Sequence, residues 1–592
     1  MRQQILTFSF LAALGQSQSQ AQQTSLTLRR PNVVFILTDD QDVRLGSLDY
    51  MPHVRKHLIE RGTFYGKHYC TTAICCPSRV NLWTGKLPHN TNVTDVNPPY
   101  GGYPKFISQG FNTDYLPVWL QDGGYNTYYT GKLFNAHTVD NYDSPFPGGF
   151  TGWDFLLDPH TYDYMNSTFQ RNNERPRSYE GLYGTDVLAA KALDFLDEGA
   201  RDAENDNKPF FLTVAPVAPH SNMVVDKSQT AAFSEPIAAE RHRHLFKDVK
   251  VPRTENFNPE HPSGANWLLD LPRQNQSNIE YNDHFYRQRL RALQSVDELV
   301  DAIVTRLAEH GILENTYIVY SSDNGFHVGQ HRLQPGKTCG YEEDINVPLI
   351  VRGPGVAINH HTADHMVTTH TDLAPTFLQL LGIPLRADFD GRPIPVTRAE
   401  IGRESKSKGG RRRREHASVE YWGLVVTEGI HQPMNRGNNT YKAVRLSGDG
   451  YDLYYSVWCT NEHELYDMTV DPGQMHNLLL PQNSKTTKTR VAGHPVENVA
   501  SRLDALLFVL KSCRGATCHE PWEQLHPTGD VHTLAEALHA RFDEIYSSQS
   551  RRTRRVRYEY CADGYLLDAE GPMWDEVEVS YLRDGVSWDE WV

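Results

Sequence analysis

Cysteine is scarce in this chain, with 8 residues in 592. That density cannot staple a fold of this size, so a small disulfide-scaffolded module is excluded and the chain must bury a core of its own. Excess positive charge is also missing. Lys and Arg number 58 against 73 Asp and Glu, a formal balance of −15, whereas a protein that grips a phosphate backbone concentrates cations on one face. Nucleic acid is therefore not an expected partner. After the N-terminal segment no apolar run approaches the roughly 18 residues needed to cross a bilayer, so no transmembrane segment is expected. No internal repeat points to a solenoid. What the chain does have is core material: 39% hydrophobic residues, including 30 Tyr, 23 Phe and 10 Trp, a payload that disordered acidic proteins lack.

The first residues, MRQQILTFSFLAALGQSQSQAQQ, set one early Arg before an apolar run from Ile5 to Leu14 and then small and polar residues. This is the layout of a secretory signal, so residues 1–22 are read as a signal peptide and the mature protein as secreted or held in the secretory pathway. Acceptor triplets for N-glycosylation at Asn92, Asn166, Asn275 and Asn438 agree with a glycoprotein. Cys513 and Cys518 in CRGATC lie close enough to pair, with Cys459 and Cys561 as alternative partners.

The apolar segment Val33–Leu37 runs straight into Asp39 and Asp40, which reads as a strand buried on both faces with carboxylates at its C-terminal end. The same design returns where Tyr317–Tyr320 precede Asp323 and Asn324. Between them, YGTDVLAAKALDFLDEG and HFYRQRLRALQSVDELVDAIVTRLAEHG have helical apolar spacing, and PFFLTVAPVAPH is a further buried strand. The alternation predicts an α/β fold, a mostly parallel central sheet with helices on both faces, and a ligand site at the carboxyl edge of its strands. Composition changes at RESKSKGGRRRREH, residues 403–416, read as a solvated basic loop. The expected division is a catalytic domain over 30–400, a basic linker or loop over 401–416, a smaller α+β domain over 417–530, and a C-terminal extension over 531–592 without a clear period.

Chemistry concentrates in HYCTTAICCPSRVNLWTGKLPHN. Cys75 and Cys76 sit beside Pro77, Ser78 and Arg79, and a helix is expected to begin just after the cysteine pair. A cysteine at a helix N-terminus beside a cation is the setting that lowers a thiol pKa and stabilises anions. Asp39, Asp40, Asp323 and Asn324 form an all-oxygen set suited to a hard divalent cation, Ca2+ or Mg2+, rather than zinc.

Cys75-x-Pro77-Ser78-Arg79 followed by Thr84-Gly85-Lys86 resembles the signature of the sulfatase family. The surroundings agree: Asp39-Asp40, Gly131-Lys132, Pro219-His220, Asp323-Asn324-Gly325, Lys337 before a Val-Pro-Leu strand, and ELYDMTVDPGQMHNL. The resemblance runs from about residue 30 to 525, and CCPSR, VRGPG, EYW and CRGATC are similar to the fungal and plant arylsulfatase and N-acetylglucosamine-6-sulfatase branch. It implies an alkaline-phosphatase-like fold and conversion of Cys75 to formylglycine (3-oxoalanine) by a formylglycine-generating enzyme. It also implies one Ca2+ held by Asp39, Asp40, residue 75, Asp323 and Asn324. By the same resemblance Arg79 orients the hydrated aldehyde, Lys132 and Lys337 hold sulfate oxygens, and His220 contacts sulfate or assists the leaving alcohol. The expected activity is that of an arylsulfatase acting on a small-molecule sulfate ester, with N-acetylglucosamine-6-sulfatase or another carbohydrate sulfatase as the alternative. Phosphoryl transfer, a second class on related folds, would call for Ser or Thr where Cys75 stands.

One position departs from the family pattern. Many sulfatases carry a histidine two residues after the Gly-Lys lysine, where this chain has Phe134, followed by Asn135 and then His137. Asn135 is a candidate polar site residue and His137 a candidate substitute for the base that releases sulfate. His327 and His331 line the substrate mouth or serve structure, and His89 is read in the same way.

Overall fold

In the strand β1, Asn32–Thr38, every side chain is buried. Val33, Phe35 and Leu37 enter one apolar core, while Val34 and Ile36 enter another on the opposite face, as the period of two requires. The computed structural model describes residues 30–225, 231–362, 366–406, 415–430, 435–480, 490–546 and 555–574. The expected signal peptide and the four-arginine run at 411–414 lie outside the described residues.

Five further strands build the centre of the sheet: β2 (Asn126–Lys132), β3 (Gly152–Leu156), β4 (Phe210–Ala215), β5 (Thr316–Ser322) and β6 (Leu349–Arg352). The order β5-β1-β4-β2-β3 is parallel throughout. Short strands extend it on both sides, and β6 and Thr168–Arg171 pair antiparallel to β5 and β3. The sheet is therefore mixed, with its parallel part at the centre. The principal helices are α1 (Cys75–Thr84), α2 (Gly184–Asn205), α3 (Gln276–Glu309), α4 (Leu373–Leu380) and α5 (Val496–Leu510). Trp83 of α1 and Phe377 of α4 pack with Phe35 on one face, while Leu196 of α2 and Val300 of α3 pack with Ile36 on the other. Among the described residues no helix is long and apolar enough to cross a membrane.

A second, four-stranded antiparallel sheet follows, made of His416–Tyr421, Tyr441–Gly448, Tyr451–Trp458 and His463–Asp467 in that order. Val444, Leu446 and Leu453 pack on Leu503, Leu506 and Leu507 of α5. Residues alternating with them, Tyr441, Ala443 and Tyr454, share a core with Tyr69, Cys70 and Ile345, so the second sheet lies directly against the loops beside α1. Two disulfides form, Cys459–Cys561 and Cys513–Cys518.

One expectation changes. The stretch read as a basic loop opens inside a helix, Arg398–Lys406, because Ala399, Glu400 and Ile401 propagate it before the glycines. Within the C-terminal extension Val531, Leu534, Val556 and Tyr558 enter the core under the second sheet.

Candidate active site

The parallel register of β1 and β5 pairs Leu37 with Ser321 and Thr38 with Ser322. The acidic residues that follow both strands therefore emerge side by side, and the Asp323 N–H donates to the Thr38 carbonyl at 3.1 Å. Asp40 takes a left-handed backbone, φ 66°, a conformation costing a non-glycine residue on the order of 1–2 kcal/mol. Its N–H donates to Asp323 Oδ1 at 3.1 Å, and its carbonyl accepts from the buried Arg289 guanidinium, so neighbouring groups hold the turn.

The helix α1 starts at Cys75 itself, two residues earlier than a start beyond the cysteine pair, after Ile74 in extended backbone. Pro77 falls in the first turn, where it breaks no helical hydrogen bond. All ten residues of α1 are buried, and the helix ends on Gly85 at φ 68°, whose N–H donates to the Asn81 carbonyl at 2.8 Å. Cys75 and Arg79, four apart, share one face. Ser78, between them, donates to the Asp323 carbonyl at 2.6 Å and lies 2.8 Å from His370 Nδ1, tying α1 to the end of β5.

Around Cys75 the charges alternate. Arg79 donates through Nε to Asp323 Oδ2 at 2.8 Å and through Nη1 to the Lys132 carbonyl at 2.5 Å. Lys132, at the end of β2, reaches Asp39 Oδ2 at 2.5 Å. Lys337 reaches both oxygens of Asp40, at 2.7 and 2.9 Å, and approaches Cys75 Sγ at 3.3 Å. The thiol itself lies 3.5 Å from Asp39 Oδ1. His220 donates its Nδ1–H to the Ser221 carbonyl at 2.7 Å, and its Nε2 stands 3.7 Å from Asp40 Oδ2. Nine of the sequence-derived site residues, Asp39, Asp40, Cys75, Arg79, Lys132, His220, Asp323, Asn324 and Lys337, thus belong to one buried constellation.

Burial dominates its electrostatics. It drives the Cys75 thiol well above the usual cysteine value, with Asp39 adding to the rise and Lys132 and Lys337 opposing it. The lowering expected from the helix end and Arg79 is thereby reversed, because desolvation of a fully buried thiolate outweighs a helix-terminal dipole. Burial also pushes the Asp40 carboxyl up to about 6 against the pull of Lys337, with Asp39 and Asp323 assisting the rise. At Asp39 burial raises in the same way, but Lys132, His220, Arg79 and Lys337 together win and hold the carboxyl well below its usual value. Burial, followed by Lys337, lowers His220 to about 4.

Asp39, Asp40, Cys75 and His220 each turn one ligand atom into a common space, all within 4.8 Å of one another. Among the described residues the buried Asn324 Oδ1 has no hydrogen-bond partner, although its amide nitrogen donates to Asp40 Oδ1 at 2.7 Å. An orphaned buried carbonyl oxygen beside two carboxylates fits a hard cation, and the cluster is able to hold a metal ion. Asp323 is already engaged: Oδ1 accepts from the Asp40 and Asn324 N–H groups and Oδ2 from Arg79.

The remaining candidates separate. Asn135 donates to the Tyr162 hydroxyl at 2.6 Å; the Tyr162 ring stacks on His220 with centroids 4.1 Å apart and lies 4.7 Å from the Lys132 ammonium. His137 instead packs against Tyr103 at 4.3 Å and Phe155 at 5.5 Å in an aromatic layer, which does not suit a base acting at residue 75. His327 pairs with Asp344 at 2.8 Å, His331 with Ser263 at 2.7 Å, and His89 with Glu420 at 2.7 Å and the Cys513 carbonyl. Sequence reasoning missed Tyr162, Ser221 and Glu428. Glu428 approaches Lys337 at 3.0 Å and accepts from Ser221 Oγ at 3.0 Å, and no periodicity or motif marks it.

A mixed α/β sheet that gathers carboxylates, paired cations and a helix-borne cysteine at its carboxyl edge defines a hydrolase for anionic esters. A family model described as Sulfatase matches residues 31–383, and one described as N-sulphoglucosamine sulphohydrolase, C-terminal, matches 329–494. The chain belongs to the formylglycine-dependent sulfatase family and is a hydrolase of sulfate esters. It is 39% identical to an arylsulfatase of Volvox carteri over 88% of this chain and 80% of that one. It is 33% identical to the human N-acetylglucosamine-6-sulfatase over 83% of this chain and 86% of that one. A protein solved in complex with its substrate D-glucosamine-2-N,6-O-disulfate has the same fold, with a TM-score of 0.59 at 23% identity over 76% of this chain and 94% of that one.

Proposed function

We propose that this enzyme is a secreted, calcium-dependent carbohydrate sulfatase in which residue 75 works as formylglycine, and that residues 30–400 form its catalytic domain. The observation that carries the reading is the setting of Cys75. It is a buried thiol held protonated by its surroundings, yet it stands among Arg79, Lys132 and Lys337, groups suited to an anionic substrate. A protonated thiol is a poor nucleophile. A hydrated aldehyde at the same place offers one hydroxyl to attack sulfur and a second whose ionisation expels sulfate afterwards. Calcium held by Asp39, Asp40, residue 75, Asp323 and Asn324 would supply positive charge that favours ionisation of the attacking hydroxyl and offsets charge on the sulfuryl oxygens. Asp39, Asp40, Asp323 and Glu428 exceed Arg79, Lys132 and Lys337 by one charge, so a dication turns the pocket net positive for an anionic ester.

The protein's own groups divide the remaining work. Lys132 and Lys337 bind sulfate oxygens, and Arg79, braced by Asp323, keeps residue 75 in place. His220, oriented by the Ser221 carbonyl, presents Nε2 to the leaving oxygen. A phenol leaves readily, with a pKa of about 10. A sugar hydroxyl is far less acidic, as water is, and needs a proton donor at that oxygen. The likeness to N-acetylglucosamine-6-sulfatases supports the sugar ester; the likeness to algal arylsulfatases supports an aryl ester as the second reading.

Mass analysis of the peptide carrying residue 75, from a host with the modifying machinery, is expected to give a value about 18 Da below the cysteine form. An unmodified peptide from active enzyme would refute the assigned nucleophile. Turnover of N-acetylglucosamine 6-sulfate should exceed that of an aromatic sulfate, should fail after chelation, and should return with Ca2+. A strong preference for the aromatic ester would reverse the substrate assignment.

A further inference from the structure

Glu428 reaches the site from outside the central sheet. It follows the strand Val425–Val426, and its backbone is anchored next to Lys337. Thr427 forms an antiparallel bridge with Gly336, and the Glu428 N–H donates to the Pro335 carbonyl at 2.9 Å. Two residues on, the Ile430 N–H donates to the Tyr281 hydroxyl of α3 at 3.0 Å. The segment is thus held at both ends, and the Glu428 side chain is buried. Its Oε1 lies 3.0 Å from Lys337 Nζ; its Oε2 accepts from Ser221 Oγ at 3.0 Å and stands 3.8 Å from His220 Nε2.

Lys337 ends a flexible four-carbon stem and sits between two carboxylates, Asp40 and Glu428. Asp40 also belongs to the cluster able to hold a metal ion. A carboxylate shared with a cation is a weaker anchor for an ammonium, and a lysine without a fixed partner samples many rotamers. Glu428 lies outside the Asp39, Asp40, Cys75 and His220 cluster, so its carboxylate serves Lys337 and the Ser221 hydroxyl.

We propose that Glu428 is a positioning residue of the sulfatase site. It fixes the Lys337 ammonium over residue 75 and, through the Ser221 hydroxyl, the turn that carries His220. The site is incomplete without the 425–430 segment. This inference rests on the sulfatase reading.

The test is a double-mutant cycle between Glu428→Gln and Lys337→Ala, with kcat/KM on a sulfate ester and calorimetric affinity for inorganic sulfate, the product, as readouts. In the wild-type background E428Q is expected to lower kcat/KM about ten- to a hundredfold, the scale of a charge-assisted hydrogen bond, and to weaken sulfate binding. The urea midpoint should stay unchanged, since the amide keeps the shape and one acceptor. In the K337A background E428Q is expected to change either readout less than about twofold, because the lysine is gone and the amide oxygen still accepts from the Ser221 hydroxyl. Glu428→Asp, shorter by one methylene, should restore part of the activity. Equal factors in both backgrounds, or losses that track a fall in stability, would overturn the positioning role alone. A wild-type enzyme that neither hydrolyses sulfate esters nor binds sulfate would overturn the sulfatase reading and this role with it.

Discussion

Replacing His137 with phenylalanine should make the protein more resistant to acid without touching catalysis. His137 is fully buried between Tyr103 and Phe155, and burial, partly offset by the Tyr142 backbone, lowers its pKa from 6.5 to about 3. Between those two values the unfolded chain binds a proton that the folded chain does not, so stability rises with pH across that window. The contribution is fully present above pH 6.5 and is lost as pH falls toward 3. At pH 5 an unfolded histidine is more than nine-tenths protonated, and the linkage removes about 2 kcal/mol of stability relative to neutral pH. Phenylalanine carries no such linkage and matches the aromatic layer. Urea unfolding of the two proteins at pH 7 and pH 5 measures the effect: the wild type should lose about 2 kcal/mol more than H137F between the two conditions. Other buried histidines, His331 and His370 among them, contribute acid sensitivity to both proteins and cancel in the difference. Equal losses in wild type and variant would refute the reasoning. Turnover of H137F at neutral pH should equal that of the wild type; accumulation of a covalently sulfated enzyme would instead make His137 the base that releases sulfate.

Three other perturbations probe different parts of the molecule. Lys132→Met removes a cation that reaches Asp39 at 2.5 Å and should lower kcat about 10²- to 10³-fold, the scale of one preorganised electrostatic contact; a loss below tenfold would remove Lys132 from the sulfate-binding role. Gly85→Ala forces a side chain onto φ 68° and sets its Cβ 2.5 Å from the Phe389 ring, so a fall of at least about 1–2 kcal/mol in urea unfolding is expected, and an unchanged midpoint would contradict it. The Cys459–Cys561 bridge spans 102 positions and the Cys513–Cys518 bridge only 5. The chain-entropy argument therefore expects paired serine substitutions to cost about 5 and about 2 kcal/mol respectively, and the reverse order in denaturant midpoints would show that native contacts rather than loop closure set the difference.

Much of the site could be read from the chain because its strongest members follow strands buried on both faces. An unbroken run such as Val33–Leu37 has only one place in an α/β sheet, and the residues that end it fall at the carboxyl edge. Register brought Asp39 and Asp323 together, and helical spacing put Cys75 and Arg79 on one face. Three-dimensional context defeated other inferences. The thiol was judged from a helix end and a nearby cation, which are local, whereas desolvation is set by the whole surrounding core. His137 lies five positions after Lys132 in sequence, yet the chain turns and its ring enters the layer with Phe155. Glu428 is 91 positions beyond Lys337 and meets it through a single backbone bridge at Gly336 and Thr427, a pairing with no periodic signature. The short helix Arg398–Lys406 was hidden by the arginine run after it, whose composition dominates any reading of that stretch.

The burial of α1 also fixes an order of events in the life of the molecule. Cys75 keeps only 2% of its surface exposed, and every residue of its helix is covered. If residue 75 works as formylglycine, as proposed, the enzyme that oxidises it has to meet it before the sheet closes over it. Modification and folding then compete in time, and a molecule that folds first is sealed with its thiol intact. Slower folding would raise the active fraction of a preparation, and faster folding would lower it, with no change in the structure of either population.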